Sequence, residues 1–209
     1  MTPLLATIAA LASFFSLVSS GPVASPGIAP THVNKVPRHG CPGYLYEPFI
    51  FPTGIYPVSQ CEPDKCFGPS YSPMVSPGDM CTIFNLEIPE KYAHSICTLK
   101  FFFPEQWQLD TSSFSFEGMG NFDFHGYTGY NAQPGVTWNS RPPNGPPEYD
   151  PPPANVVPGG VYTLHSGSCL VKKGMGALKV GGVLCSSDTN VTWFQDYNPC
   201  PIGIFIQIE

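Results

Sequence analysis

Proline sets the first limit on what this chain can become. There are 26 prolines among its 209 residues, with 21 glycines beside them. Proline has no amide hydrogen and its ring clashes with the carbonyl four residues back, so it ends or kinks a helix that it enters. A helical bundle or coiled coil is therefore excluded. Short strands tolerate proline at their ends and on sheet edges. Disorder is excluded from the other side, because 42% of the residues are apolar and 13% aromatic, enough to fill a core. Nine basic residues against fifteen acidic ones give a net charge of −6. With no basic stripe, nucleic acid is not an expected partner.

Leu4 to Val18 is an uncharged apolar run that ends in Ser19, Ser20 and Gly21. It is shorter than the roughly 20 residues that span a bilayer. It reads as a secretory signal peptide over residues 1–20, with cleavage after Ser20. Residues 21–43 are rich in proline, glycine and serine and read as a flexible leader, and 44–209 as the folded domain. No second long apolar run follows, so no membrane span is expected once the signal is removed.

All eight cysteines, Cys41, Cys61, Cys66, Cys81, Cys97, Cys169, Cys185 and Cys200, lie after the signal. An even number in an exported chain implies disulfides. No Cys-x-x-Cys occurs, so a zinc site is not expected. Spacing alone leaves on the order of a hundred pairings open. Two pairs have physical content. Cys61 and Cys66 would close a short loop. Cys97 and Cys169 flank two strand patterns, and a bridge there would remove on the order of 4 kcal/mol of unfolded-chain entropy.

Strand patterns run through Tyr44–Phe51, Ile55–Ser59, Thr82–Ile88, Ile96–Phe103, Val161–His165, Ala177–Leu184, Val191–Gln195 and Ile202–Ile208. In Thr82–Ile88, Phe84, Leu86 and Ile88 share one face while Asn85 and Glu87 take the other. Ile96–Phe103 is apolar on both faces and reads as central. Ser113–Glu117 and Asn121–His125 flank Gly118-Met119-Gly120, a pattern that predicts a hairpin. Its apolar face would hold Phe114, Phe116, Phe122 and Phe124. Arg141–Pro158 has eight prolines in eighteen residues and predicts a proline-rich surface loop. The expected fold is all-β: a disulfide-stabilised antiparallel β-sandwich, jelly-roll-like.

Candidate chemistry is sparse. Ser115, Glu117, Asn121, Asp123 and His125 would line the polar face of the hairpin, where oxygen and imidazole ligands could hold a cation or pair an acid with a base. Alternation places polar groups on such a face in any case, and it is read as solvated. Glu87 and Glu90 are the nearest approach to a carboxylate pair, and read as a strand end. Ser166-Gly167-Ser168 lacks the nucleophile-elbow pattern and reads as a turn. Of the histidines His32, His39, His94, His125 and His165, only His39 offers a copper site, and only if processing after Arg38 made it the N-terminus. Tyr127, Tyr130 and Trp138, in a glycine-rich stretch, could stack on sugar rings, whereas Trp193 reads as core. Asn190-Val191-Thr192 is a glycosylation sequon. In Phe194–Pro201, Asp196 and Asn198-Pro199 predict a turn.

Two blocks carry a family likeness. The first is Ile83-Phe84-Asn85-Leu86-Glu87-Ile88-Pro89 with Tyr92-Ala93, Cys97, Phe101-Phe102-Phe103-Pro104, Gln108-Leu109 and Ser113-Phe114-Ser115-Phe116. The second is Trp193-Phe194-Gln195-Asp196-Tyr197-Asn198-Pro199-Cys200-Pro201-Ile202-Gly203. Over about residues 55–208 the chain resembles the fungal ubiquitin-three-binding protein But-two C-terminal domain family. The resemblance implies a fungal source, a β-sandwich behind a signal peptide, and the pairing of Cys97 with Cys169. It brings no catalytic set, and no cofactor is called for. Its name implies an enzyme that activates a ubiquitin-like modifier, an intracellular partner that an exported chain would not meet. The expected function is a secreted, non-catalytic module that binds cell-wall polysaccharide or an extracellular protein. The alternatives are a secreted hydrolase or copper enzyme, and the partner that the family name implies.

Overall fold

A computed structural model describes residues 40–145 and 154–209. The segment read as a signal and most of the one read as a leader, with His32 and His39, lie outside the described residues, as does 146–153 of the proline-rich stretch. Among the described residues twelve strands follow in chain order. They are β1 Phe49–Ile50, β2 Gly54–Ser59, β3 Met74–Val75, β4 Met80–Ile88, β5 Ile96–Phe103 and β6 Phe114–Glu117. The rest are β7 Asn121–Thr128, β8 Ala154–Asn155, β9 Gly160–Ser168, β10 Leu178–Ser186, β11 Asn190–Trp193 and β12 Gly203–Ile208. Among the described residues the only helical pieces are two single 3-10 turns.

All pairings are antiparallel and form three sheets, ordered β1-β12-β5-β9, β2-β4-β10-β7-β8 and β3-β11-β6. Their inner faces meet in one core. Phe101, Phe103, Ile204 and Ile206 come from the first sheet, Phe84, Leu86, Phe124 and Leu184 from the second, Val191 and Trp193 from the third. The Trp193 ring lies at the junction, 6.1 Å from Phe84 and 5.2 Å from Phe101. The all-β sandwich expected from the sequence is the observed fold. Pro57 sits in the edge strand β2, where its missing N–H costs no ladder bond.

Two expectations are corrected by the pairing. The hairpin through Gly118-Met119-Gly120 does not form. β6 pairs with β11, placing Glu117 opposite Asn190, and β7 pairs with β10 and β8. The chain crosses between sheets there. Both glycines have positive φ, and both sit where another backbone passes: a Cβ on Gly118 would lie 2.5 Å from the Asp188 carbonyl oxygen, and one on Gly120 2.4 Å from that of Val156. A crossover and a tight turn ask for the same residue, which is why the pattern misleads. Phe114, Phe116, Phe122 and Phe124 still reach one core, from two different sheets. Ser166-Gly167-Ser168 likewise belongs to β9 and is no turn.

The second sheet is covered on both sides. Tyr56, Val58, Cys81, Ile83, Tyr127 and Val183 form a smaller core on its outer face, under Ala132 and Val136. Asn85, expected on a polar face, is therefore buried.

Three disulfides are nested: Cys97–Cys169 inside Cys81–Cys185 inside Cys41–Cys200. Cys41, assigned to the leader by sequence, is thus tied to the end of the domain. Its segment runs on to Tyr46, whose backbone N–H donates to Gln207 Oε1 (3.2 Å) and whose carbonyl accepts from Gln207 Nε2. Cys61 and Cys66 are not bridged; both are exposed thiols.

The second motif block is structural. Gln195 is buried, and its Oε1 accepts from Trp193 Nε1 (3.2 Å) and the Ile204 N–H (3.1 Å) while its Nε2 donates to the Ile204 carbonyl (2.9 Å). Gly203, at φ +109°, leaves the room for this, since a Cβ there would lie 1.8 Å from Gln195 Oε1. Asp196 accepts from the Asn198 N–H at 3.0 Å, the Asx turn expected from sequence, and pairs its backbone with Ile202.

Gln195→Ala would strand two buried donors and an acceptor, so we expect a loss of about 2–4 kcal/mol and a melting temperature lower by about 5–10 °C. Gly203→Ala should do at least as much, because both the space and the backbone conformation are wrong for alanine. Thermal unfolding followed by circular dichroism reads both. A shift under 1 °C for either would refute the role given to this contact.

Candidate functional site

The loop after β7 builds a broad depression whose lining includes an exposed aromatic and a cation. Gly129, at φ +94°, donates to the Lys179 carbonyl (2.7 Å) and turns the chain back over the outer face of the second sheet. Asn85 clasps Ala132 there: its Nδ2 donates to the Ala132 carbonyl (2.8 Å) and its Oδ1 accepts from the Ala132 N–H (3.0 Å). The Tyr127 hydroxyl donates to the same Oδ1 at 2.7 Å. Gly181 lies between Tyr127 and Asn85 in the ladder, and a Cβ on it would meet the Phe84 carbonyl oxygen at 2.1 Å and the Tyr127 hydroxyl at 2.6 Å. The ring can cross β10 only because residue 181 has no side chain.

Tyr130 stacks on Tyr127, centroids 5.4 Å apart and planes 6° from parallel, and its hydroxyl donates to the Pro143 carbonyl (3.0 Å). Arg141 lies 3.6 Å over the Trp138 ring, and its Nη1 donates to the Trp138 carbonyl (2.7 Å). Burial pushes the Arg141 guanidinium pKa down. Among the described residues no carboxylate comes within ion-pair distance of it. Asn139 fixes the loop from behind, donating to the Pro63 carbonyl (3.0 Å) and to Asp64 Oδ1 (2.8 Å). The depression is open to solvent, has a volume of about 490 Å³ and is lined by Tyr130, Asn131, Gln133, Ser140, Arg141 and Pro143, among others. Asn131 Oδ1 is buried there with no hydrogen-bond partner among the described residues.

Of the three aromatics offered by the sequence for stacking, only Tyr130 keeps a substantial exposed surface, 37%. Tyr127 is buried beneath it, and Trp138 is half-buried under Arg141. Trp193 is core. Sequence reading passed over Trp107, at 74% exposure the most exposed aromatic among the described residues, and over Arg141. The other candidates separate. Asn121, Asp123 and His125 share a face of β7, but Ser115 and Glu117 stand on β6 in another sheet. Asn121 is hydrogen-bonded to Asp188, and Ser115 to Thr192. Glu87 accepts from Asn131 Nδ2 (3.1 Å), and Glu90 accepts from the N–H groups of Gly174 and Gly176, so this pair anchors loops. No group of three metal-ligating side chains is found among the described residues. Asn190 is exposed at the start of β11.

Burial pushes the Tyr127 hydroxyl far above the usual phenol range. A raised folded-state pKa favours the protonated, folded form, so this stabilisation is whole below about pH 10, the unfolded value, and declines above it. Tyr127→Phe should lose about 1 kcal/mol at pH 7 and show a shallower fall in stability between pH 10 and 11. Denaturant titrations across that range test this; parallel curves for the two proteins would count against it.

The model of the family described as Ubiquitin 3 binding protein But2 C-terminal domain matches residues 50–199, well over half of the chain. No curated protein and no solved structure matches it with significance. The matched span includes both motif blocks up to Pro199, the Trp193–Gln195 contact and the whole described part of the Tyr130–Arg141 depression. That family is not a known enzyme family. The chain belongs to the But2 C-terminal domain family.

Proposed function

We propose that this chain is an exported, non-catalytic binding module of the cell wall or extracellular space, and that it holds polysaccharide in the depression around Tyr130 and Arg141. The observation that carries the reading is the prebuilt stack. Tyr130 is already held flat on Tyr127, so a sugar ring laid against its open edge or face meets little ordering cost. Arg141, Asn131 and Gln133 bring donors and acceptors to the same hollow, the mixture of apolar surface and a few placed polar groups that small-ligand sites use. Three disulfides support an oxidising compartment.

Retention of the secreted protein on insoluble chitin and β-glucan tests the ligand. Tyr130→Ala should weaken retention about fivefold, the loss of one aromatic stack, with the melting temperature nearly unchanged because the ring is part-exposed. Unaltered binding by this variant, or no retention of the native protein on either polymer, would remove the reading. Export has its own test. Material from the medium should begin at Gly21 and lose mass at Asn190 on endoglycosidase treatment, whereas a chain that begins at Met1 would contradict it.

A further inference from the structure

The sandwich has a second hollow, unrelated to the loop depression. Between the first and second sheets, at the end where β4, β7, β9 and β12 finish, lies a cavity of about 90 Å³. Its cause is visible in the strand faces. On the inner face of β7 the series Phe124, Gly126, Thr128 has no side chain in its middle. Leu86, Ile88, Leu99, Phe124, Val180 and Ile206 form the wall, and the Cys97–Cys169 bridge braces it. Protein interiors leave few such voids. A wall of this kind offers water too few partners, and hollows lined by leucine, isoleucine and phenylalanine stay dry and take apolar guests.

The mouth has a different character. Thr128, His165 and Ser168 are at its rim, together with Leu170. Leu170 is 48% exposed and is the one non-glycine residue with positive φ among those described. That conformation is strained for a leucine and holds its side chain at the entrance. The two loops at this end, 89–95 and 169–177, carry Lys91, Lys172 and Lys173 against Glu90 alone. Glu90 is occupied by the backbone of Gly174 and Gly176, and Glu209 is drawn to Lys100 at 3.7 Å. In a chain of net charge −6, these two loops together carry three lysines against one glutamate and so a net positive charge.

We propose that the cavity binds one unbranched aliphatic chain that carries a carboxylate head, a single-chain fatty acid. The tail lies between the sheets beside Leu86, Leu99 and Val180, and the head stays at the rim within reach of Lys172 and Lys173. The space of about 90 Å³ suits a short tail of about three to four carbons, at roughly 25–30 Å³ per methylene, close to one water's share of liquid volume.

Pentanoate, whose four-carbon tail matches the hollow, is the probe, titrated at millimolar concentration into the full secreted protein while the methyl resonances of Leu86, Leu99 and Val180 are followed by NMR. Saturable shifts confined to this wall are expected. Leu99→Phe, which fills the hollow, should weaken binding at least about tenfold. The doubly substituted Lys172→Glu, Lys173→Glu protein keeps the cavity and its fold, both residues being exposed. It should weaken pentanoate about fivefold and leave pentanol unchanged. Shifts that fail to saturate, or that survive Leu99→Phe in a folded protein, would overturn the site. Equal loss of pentanol and pentanoate in the lysine variant would overturn the head assignment. Tyr130→Ala should leave pentanoate binding untouched, so this site and the polysaccharide reading stand or fall separately.

Discussion

Four buried polar side chains hold this fold together by standing in for strands. Each satisfies both the N–H and the C=O of one peptide unit far from its own ladder partner. Thr82 does so for Met74 (3.0 and 2.7 Å), Asn85 for Ala132, Gln195 for Ile204 and Gln207 for Tyr46. A primary amide suits the task because it carries one acceptor and donors at the spacing of a peptide group. All four residues are at most 4% exposed, so removing any of them strands backbone groups away from water. The contacts fall where a sheet ladder stops: between the second and third sheets, under the β7 loop, at the start of β12 and beneath the Tyr46 segment. Between them they let three separate sheets and two covering segments share a single packed body.

The candidate depression depends on one of these contacts. Asn85 fixes Ala132, Tyr127 locks onto Asn85, and Tyr130 lies on Tyr127. The surface group that would meet a ligand is thus three steps removed from a β4 residue, and each step is buried or stacked. Gly181 is the condition for the whole series, since any side chain there would collide with both the Phe84 carbonyl and the Tyr127 hydroxyl.

Much of the sandwich is legible in the sequence because most strands alternate or run apolar between prolines. β5, β9, β10 and β12 fall where periodicity places them. The errors share a cause. Alternation treats a polar residue in a strand as facing water, so Asn85 and Gln207 look like surface when they are clamps. Glycine is ambiguous in the same way: Gly118 and Gly120 serve a crossover between sheets, and a hairpin would have used identical residues. In the depression, Tyr130 and Trp138 could be named from composition and context. Arg141 could not, because its role rests on a ring that the fold brings beneath it. Cys61 and Cys66 are close in sequence, and proximity alone suggested a bridge that the structure does not make.

The concentric arrangement of the three disulfides has a topological outcome. Every bridge joins a residue before position 146 to one after position 153, so the proline-rich stretch lies inside all of them. A protease that cuts there severs the backbone without separating the pieces. The nicked molecule stays one covalent species until a reductant is added, and its two halves stay in register through Cys41–Cys200, Cys81–Cys185 and Cys97–Cys169. Cleavage anywhere between Cys97 and Cys169 therefore releases nothing until all three bridges are reduced.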